Sequence, residues 1–287
     1  MKRSDFRFAD SLRVRWAEVD MQKVVFNGHY LMYVDTAMGN FWRALALPYE
    51  ATLAALGGDL FVRKATLEYL GPAQYDDALE VCIRLESSGT SSLRFAAAVF
   101  RGDELLVRGE MVYVWTDAAT RRPSPVPAAL VDVFRAHAAG ELVVAVTVGA
   151  WAELGAEAQA IRTAVFVDEQ KVPLEIERDA ADGDAVHALA RNRLGLAVGT
   201  GRLLAAEASG HAARIGRMAV SRALRGAGIG HALLEALMAA AGRRGDAVVT
   251  LHAQVSALGF YRRAGFVAYG DRFEEAGIVH QEMRRRP

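Results

Sequence analysis

Arg225-Gly226-Ala227-Gly228-Ile229-Gly230 is the stretch whose composition and spacing most directly imply a ligand. It follows an apolar run at 215–220 and opens an amphipathic run at 229–241, an order that predicts strand, glycine-rich turn and helix. The first backbone N–H groups of a helix lack internal partners and lie at the positive end of its dipole, so they attract anions. Glycine lets that backbone approach the anion closely. A Walker loop ends in Gly-Lys-Ser/Thr, whereas this one carries Gly228-Ile229-Gly230. A dinucleotide fingerprint counted from Gly226 needs Gly or Ala where His231 stands, and an acidic residue about 20 positions further on. Neither pattern fits.

The elements around this loop differ from those in the first half of the chain. From 61 to 117 the pattern has period two, with strands near 61–70, 79–85, 93–99 and 105–115, the last broken at Gly109. Gly71-Pro72, Ser87-Ser88-Gly89 and Gly102-Asp103 separate them, which implies an antiparallel sheet. Before the strands, Tyr30, Val34, Met38, Phe41 and Leu45 have helical spacing, and Pro48 stops that helix. A short helix at 128–137 closes the first domain, and Ala138-Ala139-Gly140-Glu141 reads as a linker. Then the order alternates: strand 142–148, helix 154–167, strands 186–191, 195–204 and 215–220, the loop and its helix, and a strand at 248–253.

The whole chain agrees with two ordinary globular domains. It has 287 residues, 52% hydrophobic and 24% charged, enough for two cores. Lys+Arg and Asp+Glu are both 34, which argues against a nucleic-acid surface set by bulk charge. Cys82 is the single cysteine and lies in an alternating apolar run, so it reads as a buried thiol in a reducing cytoplasm. No run of 18 apolar residues is present, and no apolar stretch follows the basic start as a secretory signal requires. One Cys and no His-x-x-x-His pair give no expectation of a metal.

The spacing Arg225-x-x-Gly228-x-Gly230 resembles the acetyl-CoA loop of the GNAT N-acetyltransferase superfamily. Three further motifs extend the resemblance over roughly 142–287. Leu251-His252-Ala253-Gln254 and Phe260-Tyr261-Arg262-Arg263-Ala264-Gly265-Phe266 look like the family's C-terminal signature. Ile161-Arg162-Thr163-Ala164-Val165-Phe166-Val167-Asp168-Glu169-Gln170 is similar to the first helix and loop of small bacterial members, and Asp179, Asp182 and His187 follow in similar order. The resemblance implies a mixed sheet with flanking helices. It implies that Met218, Ala219 and Val220 offer backbone N–H groups to the thioester, and that 225–230 (Arg225, Gly226, Ala227, Gly228, Ile229, Gly230) bind the pyrophosphate. Tyr261 falls at the general-acid position for the thiolate, and Gln254 replaces a more usual Asn beside the pantetheine arm. The base stays open among Glu169, His187, His252 and His280, or a water relay; 277–280 suits acceptor selection. Acyl-homoserine lactone synthases share the broad fold but not this loop and ending.

Residues 1–137 resemble the hotdog-fold acyl-CoA thioesterases near the 4-hydroxybenzoyl-CoA thioesterase group, whose antiparallel sheet wraps a central helix. The resemblance rests on the segment Glu18-Val19-Asp20-Met21-Gln22-Lys23-Val24-Val25-Phe26-Asn27-Gly28-His29-Tyr30. It implies that Asp20 is the carboxylate that attacks the thioester or activates water, with the N-terminus of the next helix as oxyanion site. Glu18, Asn27 and His29 are further candidates for catalysis or substrate binding. Glu18 stands where Asp is commoner, Lys23 replaces a frequent Gly, and Asn27 a frequent His or Tyr. A half-wrapped sheet leaves strand edges open, so a homodimer or higher homo-oligomer through this domain is expected.

The resulting expectation is an α+β chain of two domains, 1–138 and 142–287, acting on acyl-CoA and amine substrates, with acetyl-CoA as substrate and neither nucleic acid nor membrane as partner. A second reading makes the hotdog half an inactive acyl-CoA-binding or dimerisation module.

Overall fold

The computed structural model describes residues 1–206 and 212–287. It divides into two compact units, Met1–Val143 and Val144–Pro287.

The first unit holds β1 (Phe8–Arg13), α1 (Asn27–Ala44), α2 (Tyr49–Leu56), β2 (Gly58–Tyr69), β3 (Ala78–Ser88), β4 (Ser92–Arg101), β5 (Glu104–Asp117) and α3 (Ala128–Ala138). Its sheet runs β1-β3-β4-β5-β2, antiparallel throughout. The buried face of α1 is Tyr30, Tyr33, Val34, Ala37, Met38, Phe41 and Trp42, a helical stripe laid on the sheet. Phe41 meets Phe8, Phe95 and Phe134, which ties α1 to β1, β4 and α3. Cys82 is fully buried, and that burial pushes its thiol up to about 11.

The expected break at Gly109 is absent. β5 runs through it, because a side chain there would meet Leu67 Cδ2 at 2.6 Å and the Thr66 carbonyl at 3.0 Å. The glycine allows close packing against β2 and marks no turn. The helix placed from Tyr30 starts three residues earlier, at Asn27.

The second unit holds β6 (Val144–Ala150), α4 (Trp151–Arg162), α5 (Leu174–Glu177), β7 (Val186–Asn192), β8 (Ala197–Leu204), β9 (Ala213–Val220), α6 (Ile229–Arg244), β10 (Val249–Gln254), α7 (Leu258–Arg263), β11 (Val267–Glu275) and β12 (Ile278–Arg285). The sheet order is β11-β12-β10-β9-β8-β7-β6. Leu233, Leu234, Leu237 and Met238 of α6 are buried, and Leu154 and Ala158 of α4 pack on Leu189 of β7. The helix expected over 154–167 changes at Thr163 into π-helical turns that end at Glu169. Such widened turns push the backbone outward and often border functional sites. β11 and β12 form a hairpin that turns on Ala276 and Gly277, both with positive φ, 50° and 75°.

Candidate functional site

β9 and β10 run parallel, and among the described residues their pairing covers three positions: Ala213 with Val249, Arg214 with Thr250, and Ile215 with Leu251. Beyond these, β10 pairs with β12 alone, while the β9–β8 register slips between Thr200 and Arg202. The slip leaves an extra residue in β9, and Arg217 takes φ 51° at that bulge. Gly201 opposite leaves room for Met218, whose sulfur would collide with any side chain there. The two strands therefore part, and 216–220 keep a strand edge that β10 does not cover.

The chain leaves β9 through a 3-10 turn at Arg222–Leu224 and enters α6 at Ile229. Gly226 and Gly228 have φ of 90° and 81°, where an L side chain is strained. Gly228 is the N-cap of α6 and offers no side chain to its first N–H groups. Nothing lies within 4 Å of the position a Cβ would take on either glycine, so the space over them is open. An uncapped helix start under open space suits a phosphate group. Arg225, at the head of the loop, grips Glu169 with two bonds of 2.6 and 2.7 Å.

A cleft of about 230 Å³ opens where the strands part. Met218, Gln254 and Tyr261 line it, with His252, Glu275 and His280 along one side. Gln254 Nε2 donates to Gln170 Oε1 at 3.1 Å, joining β10 to the end of the π-helical segment. Tyr261 is 8% exposed, its ring packed on Phe260 and Phe266, and burial pushes its phenol up to about 12. The hydroxyl is therefore protonated throughout the neutral range and able to donate. His252 Nδ1 lies 3.0 Å from Glu275 Oε2. Burial pushes Glu275 upward, but the His252 bond and the nearby His280 and Arg214 outweigh it and hold the carboxyl below its usual range.

Arg162, Arg202 and Arg217 interleave with Glu177, Asp179 and Asp182, and of these Glu177, Arg202 and Arg217 line the cleft. Arg162 bonds Glu177 and, at 2.8 Å, Asp182. Arg202 reaches Asp179 at 2.8 Å and Asp182 at 2.7 Å, and Arg217 reaches Asp179 at 3.0 Å. Burial raises Asp179 and Asp182, yet the arginines more than reverse it, so both stay ionised. The order of Asp179, Asp182 and His187 in the sequence thus becomes one network, with Asp182 and His187 buried and Asp179 at its exposed edge. His187 lies under Trp151 with Nε2 2.9 Å from the Asp182 carbonyl, and burial lowers its basicity.

In the first unit, Asp20 begins a turn. Its Oδ1 accepts the Gln22 N–H at 2.8 Å, its carbonyl accepts the Lys23 N–H at 2.9 Å, and Lys23 adopts φ 64°. The chain returns through Val24 and starts α1 at Asn27, with no side chain capping that helix. Asp20, Asn27, Tyr30 and Tyr69 line one open hollow, and the Tyr69 hydroxyl donates to the Asn27 carbonyl at 3.1 Å. Glu18 is 4% exposed and fully engaged: it accepts from the Arg15 N–H and from the Tyr33 hydroxyl, each at 2.7 Å, and pairs with the Arg15 guanidinium. It fastens the segment before Asp20 onto α1. His29 Nδ1 is buried without a partner, its ring edge-on to Phe26, and it does not line the hollow.

Comparisons with known proteins agree with both halves. Residues 152–287 match the acetyltransferase (GNAT) domain and residues 14–134 the thioesterase-like superfamily. A putative acetyltransferase of Bacillus subtilis is 34% identical over 128 residues, which are 44% of this chain and 84% of that protein. A putative esterase of Aquifex aeolicus is 33% identical over 91 residues, 32% of this chain and 70% of that protein. The chain joins a thioesterase-like domain to a GNAT acetyltransferase domain. An acyl-CoA thioester hydrolase of Escherichia coli is 28% identical over 125 residues, 43% of this chain and 92% of that protein.

Both families act on coenzyme A thioesters. Within the GNAT domain, Met218, Gln254, Tyr261, His252 and His280 come together at the cleft, and the glycine loop starts α6 at the end of the parted strand. Glu169 is held outside the cleft lining by Arg225, and His187 is buried away from it. Glu275 shares the cleft and was not singled out in the sequence, where it is one of two adjacent glutamates before a turn. Within the thioesterase-like domain, Asp20 and Asn27 share the hollow, whereas Glu18 and His29 do not.

Proposed function

We propose that this chain carries two coenzyme A thioester sites: one moves an acetyl group from acetyl-CoA to an amine, and one hydrolyses an acyl-CoA. The parting of β9 from β10 carries the first part of the reading. It leaves Met218, Ala219 and Val220 on a strand edge that β10 does not cover; Met218 lines the cleft with Tyr261, whereas Ala219 and Val220 lie outside its lining, on the way to the uncapped glycine loop. A thioester carbonyl at that edge has N–H donors for its developing charge, the diphosphate has the start of α6, and the departing sulfur has a protonated phenol.

For hydrolysis, Asp20 keeps Oδ2 without a protein partner among the described residues, while Oδ1 is fixed by Gln22. The start of α1, seven residues on, has no side-chain cap, and its first residue, Asn27, lines the same hollow. The 12-residue β2 lies at the sheet edge with 61–66 exposed, which supports pairing with a second copy. The second reading, a binding or dimerisation module, draws support from the tie between Asp20 and Gln22, which gives the aspartate a turn-forming role of its own.

Thiol release from a panel of acyl-CoA esters, with and without primary amines, separates the activities. Release without amine that Asp20→Asn removes supports hydrolysis; amine-dependent release that Tyr261→Phe slows supports transfer. Amine-independent release that survives Asp20→Asn takes Asp20 out of the mechanism.

A further inference from the structure

We infer that Glu275 positions His252 as the base that deprotonates the acceptor amine, an inference that rests on the acetyl-transfer reading of the cleft. The pleat places the two residues on one face. In β10, Val249, Leu251 and Ala253 are buried, so Thr250, His252 and Gln254 lie on the other face, where His252 and Gln254 line the cleft. The register sets Gln254 opposite His280, His280 opposite Phe273, and Glu275 opposite Ile278. His252, Gln254, Phe273, Glu275, Ile278 and His280 therefore share that face.

On it, Phe273 stands between the two histidines. Its ring is edge-on to His252 at 4.8 Å and stacked with His280 at 6.0 Å. That wall fixes the His252 ring while Glu275 Oε2 takes its Nδ1 at 3.0 Å. An ionised carboxylate only accepts, so Nδ1 carries the hydrogen and Nε2 presents its lone pair. The His252 side chain is 30% exposed, which leaves Nε2 reachable from the cleft.

The other bases named from the sequence are less suited. Glu169 is paired with Arg225, which holds its carboxyl below the usual range and weakens it as a base, and His187 is 1% exposed and outside the lining. His280 bonds the Ile278 carbonyl through Nδ1 at 2.8 Å, is only 9% exposed, and, unlike His252, makes no hydrogen bond to a carboxylate among the described residues.

The proton balance is simple. His252 Nε2 takes one proton from the ammonium, and the freed lone pair forms the N–C bond to the acetyl carbon. The C–S bond breaks, Tyr261 gives its proton to the thiolate, and the phenolate recovers one from the amide nitrogen. His252 returns its proton to solvent. Acetyl-CoA and an ammonium give amide, free thiol and one proton.

Of the charged and titratable groups around the pair, Glu275 of β11 bonds His252, Glu282 of β12 stands opposite it in the sheet, and His280 of β12 and Arg214 of β9 act on Glu275. Glu275 is the one bonded to the ring, so its removal should be felt there first.

The test uses the full chain, acetyl-CoA, and the primary amine of the panel that gives the fastest thiol release. His252→Gln is expected to lower kcat by about 10²- to 10⁴-fold with acetyl-CoA affinity within twofold by calorimetry. Glu275→Gln is expected to lower kcat by about tenfold or more and to move the acid limb of its pH profile to lower pH, with partial rescue in Glu275→Asp. The same shift should appear in the NMR titration of the His252 ring, with no acceptor present. Wild-type kcat in His252→Gln, or an unmoved titration midpoint in Glu275→Gln, overturns the pairing alone. Acetyl-CoA binding with no amine-dependent release in wild type overturns the transfer reading, and the base with it.

Discussion

Arg225 of the glycine loop and Glu169 at the end of the π-helical turns face each other in a two-pronged ion pair, with bonds of 2.6 and 2.7 Å. The pair fastens the proposed diphosphate loop to the segment that carries Gln170 on to the cleft. It is partly exposed, with Arg225 43% open, so its own contribution to stability is small, about 0–1 kcal/mol. Its larger effect is on charge, because it occupies the loop's guanidinium and sets a carboxylate beside an anion site.

Glu169→Gln should therefore tighten acetyl-CoA binding by up to about fivefold, as Arg225 becomes available to the diphosphate. Calorimetry at low and high salt checks this, since the gain should shrink as salt screens it. Weaker binding would mean that the pair shapes the loop instead of competing for it.

At Gly228, φ of 81° and open space over the backbone make separate demands. Gly228→Val combines a β-branched side chain with a left-handed backbone and should abolish acetyl-CoA binding. Gly228→Asn tolerates that backbone better and should keep the melting temperature near wild type while still weakening the ligand. Equal affinity in all three proteins would move the diphosphate elsewhere.

Tyr261→Phe should leave acetyl-CoA affinity within twofold and lower kcat by about 10²-fold or more. With its phenol pushed up to about 12, wild-type turnover should show no limb from this residue between pH 6 and 10, read directly from the pH profile. A tyrosine limb in that window would require a different environment for the ring.

Asp182 sits between Arg162 and Arg202 with 6% exposure, so Asp182→Asn leaves two buried cations short of an anion. A loss of about 3–5 kcal/mol in the GNAT domain is expected from urea unfolding. The folded carboxyls of Asp179 and Asp182 lie below their unfolded values, near 3.9. Their stabilisation is complete above that value and disappears as pH falls through the folded ones, so this domain should melt earlier below about pH 4. An acid profile unchanged by Asp182→Asn would contradict this.

Asp20→Asn retains an oxygen to accept the Gln22 N–H, so the turn and the melting temperature should persist while acyl-CoA hydrolysis is lost. A drop in thermal stability with unchanged hydrolysis would assign Asp20 to the turn alone.

Much of this architecture was legible because it is periodic. The stripe from Tyr30 to Phe41 is set by burial on one face of α1, and β3 and β4 appear where large apolar residues alternate, although 95–100 of β4 are buried on both faces. β1 escaped notice because Phe8, Asp10 and Leu12 alternate weakly and its pairing partner, β3, lies some 70 positions on. α2 follows directly after the stop at Pro48, too short for its period to register. At the cleft, Tyr261 and the glycine loop have local spacing that survives in one dimension. Glu275 acquires meaning only through the hairpin that folds it back over His252, and Lys23 shows its strain only as φ 64°. Arg202 and Arg217 were invisible for the same reason: their partners come from the segment before β7.

The three-position pairing of β9 and β10 has one more consequence. A sheet that parts there is an unfinished object, short of one extended chain that the polypeptide itself does not provide. A pantetheine arm, with its own amides, could supply those rungs, so the bound ligand would serve as part of the scaffold as well as the reactant. Folding would then be coupled to supply: at a free concentration 100 times its dissociation constant, acetyl-CoA would add about 2.7 kcal/mol to the stability of its own domain. The lifetime of this half of the chain would rise and fall with the coenzyme pool.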